Sequence, residues 1–203
     1  MQSSYERGFA SDLVPVRSEI ELTKSVYNGE VELKSDGSFF MDPASQQYVS
    51  KPSIEVDMAW TRLLDGLNID IDQSEADLEG KTFKWPESGT YFTGLEVFHS
   101  LHCLNRLRQA MYPEYYNDLF SDPNDPPRER HIGHCINHLR QAIQCHADLT
   151  PMEWKQVGKK VILNTATQHT CRNFEKIQSW AIKRKTNFDK FKMIQNGSLT
   201  IVD

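Results

Sequence analysis

Two segments of the chain repeat one arrangement of side chains that can hold a metal. HSLHCLNRLRQAM runs from His99 to Met111, and HIGHCINHLRQAI from His131 to Ile143. Both read His-x-x-His-Cys-apolar-Asn-x-Leu-Arg-Gln-Ala, a pattern too long to recur by chance. On a helix, residues three and four apart share a face. His99, His102 and Cys103 therefore converge, as do His131, His134 and Cys135.

Neutral imidazole suits zinc, copper, iron and nickel alike. Structural zinc takes Cys and His together in closed four-coordinate sites, and the motif cysteines are placed to complete two of them. No carboxylate lies within either motif, which weighs against iron held by two His and one carboxylate. Copper ligated mainly by imidazole, with positions open to dioxygen, is the alternative. The cysteines Cys103, Cys135, Cys145 and Cys171 decide part of this. In an oxidising compartment Cys103–Cys135 and Cys145–Cys171 are the natural disulfides, the first tying the helices together beside the histidines. In a reducing one, thiolate ligation gains ground.

Other chemistry-bearing residues read more plainly. His138, His146 and His169 are further possible ligands, each structural when taken alone. Arg108 and Arg140 recur with the motif and are expected to bridge to a carboxylate such as Glu96 or Asp148. Tyr112, Tyr115 and Tyr116 cluster after the first motif. Aromatic packing explains them, with Tyr112 and Tyr116 as candidate substrate contacts. No glycine-rich phosphate loop, Ser-His-Asp signature or dinucleotide fingerprint occurs.

The elements that must position these residues are mainly helical. Thr93 and Glu96 have capping-box spacing before an apolar run, so the first motif helix is predicted from there to about Tyr112, where Pro113 stops it. Asp125 as cap and Pro126 at the first helical position open the second, which ends near Ala147. Leu101, Leu104 and Leu107, matched by Ile136 and Leu139, are expected to form the stripe that packs inward, with the His-His-Cys side beside it. A helix capped by Ser53 and stopped at Gly66 precedes the motifs. A last one, from about Cys171 to Lys185, carries Phe174, Ile177, Trp180 and Ala181 on one side. The N-terminal third alternates apolar and polar residues around Asn28-Gly29 and Asp36-Gly37, which are hairpin signals. Asn68 to Gly89 reads as a long connection. The reading is one mainly α domain over residues 1–203. Residues 1–90 are irregular or β with one helix, 91–185 form the helical metal-binding core with the two motif helices packed together, and 186–203 form a tail.

Composition bounds the function. With 203 residues the chain can bury a core without staples. A net charge of -5 argues against nucleic-acid binding, which needs a basic face. Neither a membrane span nor a signal-peptide core is present in the sequence. Asn196-Gly197-Ser198 is an N-glycosylation sequon.

HSLHCLNRLRQAMY and HIGHCINHLRQAIQCHADLTP resemble the paired His-x-x-His-Cys motifs of the UstYa-like family of fungal oxidative tailoring proteins. The likeness extends to KPSIEVDMAWTRLL around Trp60 and to HTCRNFEKIQSWA from His169, and covers about Arg7 to Lys185. The resemblance implies oxidation of peptides and other secondary metabolites by cyclisation, hydroxylation, dehydrogenation or chlorination. It implies one or two copper ions on His99, His102, His131 and His134, with dioxygen or peroxide as co-substrate and zinc or iron as alternatives. It also implies a lumenal catalytic domain in the secretory pathway behind an N-terminal membrane helix, with homodimers or paired family members as partners. On that expectation this chain is a truncated soluble domain and its cysteines are bridged. The rival from another class is a non-catalytic helical scaffold or partner subunit holding structural zinc or no metal.

Overall fold

Ser53 opens the helix before the motifs as expected, its Oγ accepting a hydrogen bond from the Val56 amide. Gly66, at φ +96°, turns the chain where that helix ends. The computed structural model describes residues 3–27, 31–34, 36–41, 46–119, 121–164 and 166–202. Its helices are α1 (Gln46–Val49), α2 (Ile54–Leu63), α3 (Glu96–Ala110), α4 (Arg128–His146), α5 (Phe174–Ile182) and α6 (Lys192–Gln195). Its strands are β1 (Leu22–Val26), β2 (Val31–Leu33), β3 (Phe39–Met41), β4 (Ile69–Ile71), β5 (Phe83–Lys84), β6 (Tyr91–Thr93), β7 (Glu153–Val157), β8 (Lys160–Asn164) and β9 (Gln168–Arg172). Helices hold 37% of the residues and strands 18%, so the architecture is mixed, with helix in excess. Among the described residues no helix is long and apolar enough to cross a membrane.

The β structure is more widespread than the sequence suggests. β1 pairs antiparallel not with β2 but with β9, Thr23 opposite Cys171, across almost the whole chain. The expected Asn28-Gly29 turn lies outside the described residues. The second hairpin signal is realised: β2 and β3 pair, and Asp36 Oδ1 accepts from the Ser38 amide beside Gly37 at φ +85°. The supposed connection from Asn68 to Gly89 contains β4 and β5, which flank β6 in a three-stranded antiparallel sheet. Strands of two or three residues are too short for alternation to announce them.

That sheet builds the core. Ile69, Ile71 and Tyr91 are fully buried and pack with Phe98 of α3 and with Trp180 and Ala181 of α5, and Phe174 and Ile177 lie against the same cluster. The face expected of the last helix is thus the face it uses. The helix itself starts later, capped by Asn173, because Cys171 belongs to β9. Gly94 links β6 to α3 where a Cβ would stand 2.5 Å from the Leu67 carbonyl oxygen. Only glycine lets α3 leave the sheet so close to the end of α2.

Both motif helices begin differently from expectation. Thr93 is paired with Ile69 in the sheet, so no capping box forms and Leu95 precedes α3. α4 starts at Arg128 after Pro127, two residues beyond the predicted proline. The inward stripe also differs. Leu104 is 46% and Ile136 56% exposed, while His102, Cys103, His131 and Cys135 are buried. The seam between α3 and α4 is lined by the motif's polar and sulfur-bearing residues; Leu104 and Ile136 turn outward, while Leu101, Leu107 and Leu139 are half-buried.

Candidate metal centre

α3 and α4 run antiparallel, so each motif histidine meets its opposite number on the facing helix. His99 Nε2 lies 3.3 Å from His134 Nε2. His102 and His131, one turn away along the seam, stack with ring centroids 6.1 Å apart. The four histidines therefore form an outer pair, in which His134 is exposed and the His99 side chain is 33% exposed, and a buried inner pair. Cys103, fully buried, places Sγ within 4.8 Å of ligand nitrogens of both His99 and His134. Cys135 is equally buried on the facing helix.

Two residues outside the predicted ligand set join the outer pair: Glu96, and His138, expected to be structural when taken alone. Glu96, expected as a cap or as a partner for Arg108, sets Oε2 3.3 Å from His99 Nδ1 and 3.9 Å from His138 Nε2. The His138 ring lies against His99 with centroids 4.1 Å apart and the planes tilted by 39°, and its Nε2 is 2.9 Å from Ser100 Oγ. Burial holds the His138 pKa below the ordinary imidazole value; His99 acts in the same direction and Glu96 opposes both. The carboxylate missing from inside the motifs thus stands one turn before the first of them. Its signal was the i, i+3 spacing of Glu96 and His99 and the i, i+4 spacing of His134 and His138. At the inner pair the neighbour is a cation: Arg106 Nε donates to His102 Nε2 at 3.4 Å.

The other histidines do structural work. His146 Nδ1 bonds to the Ala142 carbonyl oxygen of its own helix. His169 stacks on Tyr27 and bonds to Asp148 at 2.7 Å. The Thr150 amide and side chain, and after them that contact, hold the Asp148 carboxyl down to a pKa of about 2. The His169–Asp148 bond also joins β9, which carries Cys171, to the chain just beyond α4, whose last turn carries Cys145. Cys145 is exposed and Cys171 half-buried.

The repeated arginines do not bridge to Glu96 or Asp148. Arg108 Nη2 donates to Asp57 of α2 at 2.9 Å, Nη1 to the Tyr116 hydroxyl and Nε to Asn105. Tyr116 in turn donates to Asp57 at 2.6 Å. Burial and the Asp57 carboxylate push the Tyr116 phenol up to a pKa of about 12. Among the described residues Arg140 bonds within its own helix, to Asn137 and Gln144. In both copies the motif asparagine accepts from the motif arginine three residues on. Tyr116 lines a cavity of about 270 Å³ with Gln109, Pro113 and Arg128, at the end of the seam beyond the inner pair. Its hydroxyl is committed to the Asp57 network, and half-buried Tyr112 is not among the lining residues.

Residues 4–184 match the family described as "Mycotoxin biosynthesis protein UstYa". The UstYa family oxidase phomYd of Diaporthe leptostromiformis is 32% identical over 200 residues, covering 89% of this chain and 64% of the relative. The UstYa family oxidase VicYb of Bipolaris victoriae is 39% identical over 98 residues, 46% of this chain and 81% of VicYb. The oxidase ustYa of Aspergillus flavus is 33% identical over 117 residues, 57% of this chain and 51% of that protein. The chain thus spans just under two thirds of the length of phomYd. No solved structure matches it.

Proposed function

The chain belongs to the UstYa family, and on that premise we propose that it is a copper-dependent oxidase of secondary-metabolite biosynthesis. It would functionalise C–H bonds of a peptide-type mycotoxin precursor by oxidative cyclisation, hydroxylation, dehydrogenation or chlorination. Relatives named as family oxidases support the reaction class. One distance carries the metal: His99 Nε2 and His134 Nε2 are 3.3 Å apart. Two ligand nitrogens on a tetrahedral ion with bonds of about 2.0–2.1 Å are separated by about 3.3–3.4 Å. The helix pair holds the outer imidazoles at the spacing of one coordination edge, with their open side toward solvent and substrate.

When bound, copper supplies one-electron chemistry toward dioxygen or peroxide. The residues supply the rest. His99 Nδ1 donates to Glu96, which fixes the tautomer and turns the Nε2 lone pair toward His134. His102 and His131 extend the imidazole set into the buried seam, and the cavity beside Tyr116 is a seat for a remote part of the substrate. Disulfides Cys103–Cys135 and Cys145–Cys171, glycosylation at the exposed Asn196 and a lumenal position behind a membrane anchor complete the reading, with a second copy or a paired family member as partner. One observation favours the rival of a non-catalytic, zinc-holding partner subunit. Cys103 beside two imidazoles is a donor set that zinc takes.

Metal content decides between them. After loading with copper or zinc and desalting, mass spectrometry of the intact chain and of the His99→Ala/His134→Ala variant reads the bound ion. Histidine-dependent copper, with an electron-spin signal abolished by reduction, is the expected result. Binding of zinc alone would install the scaffold reading, and copper retained by the variant would remove the outer pair from the site.

A further inference from the structure

The two motif copies are 32 residues apart, and the exchanges that flank their histidines segregate by charge. Three residues before the first histidine stand Glu96 in one copy and Arg128 in the other; four residues after the second histidine stand Arg106 and His138. Antiparallel packing collects these exchanges at opposite ends of the seam. Arg106 donates to His102 at the inner pair, and Arg128 sits one turn before His131, its Nη2 on the Ala110 carbonyl oxygen. At the outer pair stand a carboxylate and an imidazole. A further cation beyond the one held by the motif imidazoles is favoured at the outer end over the inner.

We propose that Glu96, His99 and His138 form a second cation subsite, for a divalent transition metal, sharing His99 with the copper site and resting on the copper reading above. Ligand atoms of the three side chains lie within 4.8 Å of one another. Glu96 Oε2 is 3.3 Å from His99 Nδ1 and 3.9 Å from His138 Nε2, so small rotations bring the three donors onto one ion. The His99 ring presents its two nitrogens to different neighbours, Nδ1 to Glu96 and Nε2 to His134. It donates one to each ion when its N–H proton leaves to solvent on binding. The Glu96 carboxylate contributes the negative charge that a second divalent ion beside the first requires, and a donor set of two imidazoles and a carboxylate selects the divalent ion over Cu(I). Two contacts must yield: the His99–Glu96 hydrogen bond, whose proton leaves as the ion enters, and Ser100 Oγ, 2.9 Å from His138 Nε2, a hydroxyl rotor that yields by turning about χ1.

The test is copper stoichiometry, by mass spectrometry and by titration with Cu(II) followed calorimetrically, on the intact chain and on Glu96→Gln and His138→Ala. Circular dichroism confirms that each variant folds; Glu96 is exposed, so its substitution leaves packing untouched. The expected result is two ions per chain, falling to one in either variant. Through the shared imidazole, the two-copper form should give less electron-spin intensity per copper than the one-copper variants. One ion in the intact chain, with the same number in both variants, overturns the second subsite and leaves the copper reading standing. Glu96 would then only orient His99. No copper in the intact chain overturns both.

Discussion

Just before its first motif histidine α3 carries Phe98, fully buried in the core, whereas α4 carries Arg130, exposed. Nine residues after it, Arg108 is 9% exposed and reaches into α2, whereas Arg140 is exposed and bonds along its own helix. Both copies bury the motif cysteine completely. The shared pattern therefore encodes the helix pair and its line of imidazoles. What differs between the copies fastens one helix to the sheet and to α2 and leaves the outer face of the other, with Ile136 and Ile143, in solvent. The outer histidines are thus drawn from one anchored helix and one lightly held helix, and as the proposed ligand pair they would be rigid on one side and adjustable on the other.

The sharpest way to break this comparison is substitution at the two positions before the histidines. Phe98→Ala should cost about 3–5 kcal/mol, because a fully buried ring between Phe174 and the sheet leaves a cavity that the strands cannot close. Arg130→Ala should fall within about 0.5 kcal/mol. Urea unfolding of both variants reads the difference, and similar losses would mean that the copies are held alike.

The repeated arginines sharpen it further. Arg108→Ala strands Asp57 and the Tyr116 hydroxyl, and removes a guanidinium stacked 5.6 Å from the Trp60 ring. Breaking a buried ion pair costs about 3–5 kcal/mol, but the Asp57 side chain is 34% exposed, so about 2–3 kcal/mol is expected. Arg140→Ala should cost no more than about 0.5 kcal/mol, since its partners Asn137 and Gln144 are exposed. Thermal melting with and without copper adds a second reading. The Arg108→Ala loss should persist in the loaded protein, because a metal on the proposed His99–His134 site would fasten α3 to α4 and not to α2.

The motif made the helix pair legible, and Ser53, Gly66 and the Phe174–Ala181 face read correctly from local rules. The inward stripe misled because leucine was preferred over histidine for the buried side. Two helices that present the same polar motif to each other bury it by pairing it with itself. β1 meeting β9 has no local signal, since the partners are separated by most of the chain. The three-residue strands around Tyr91 were hidden for the opposite reason, being too short to show a period. Glu96 and His138 were each within helical reach of a motif histidine. Weighing histidines singly concealed that the two residues meet across the seam.

The smallest expected effect tests how the first copy is anchored. Tyr116 donates to Asp57, and its phenol is held at a pKa of about 12 against an ordinary value near 10. The folded state thus keeps the proton that the unfolded state releases first. The contribution is fully present below about pH 10 and is lost as pH rises through about 12. Tyr116→Phe removes a hydrogen bond to a charged acceptor and should cost about 1–2 kcal/mol at pH 8. Arg108 stays charged throughout, so the gap between the parent and Tyr116→Phe should hold from pH 8 to about pH 9.5 and narrow as the pH rises from there to 11 in parallel urea titrations. A gap that does not change with pH would mean that the phenol is not tied to Asp57. The link from α3 to α2 would then be the Arg108–Asp57 pair alone, and at the repeated arginine the two copies would differ by one ion pair instead of a network.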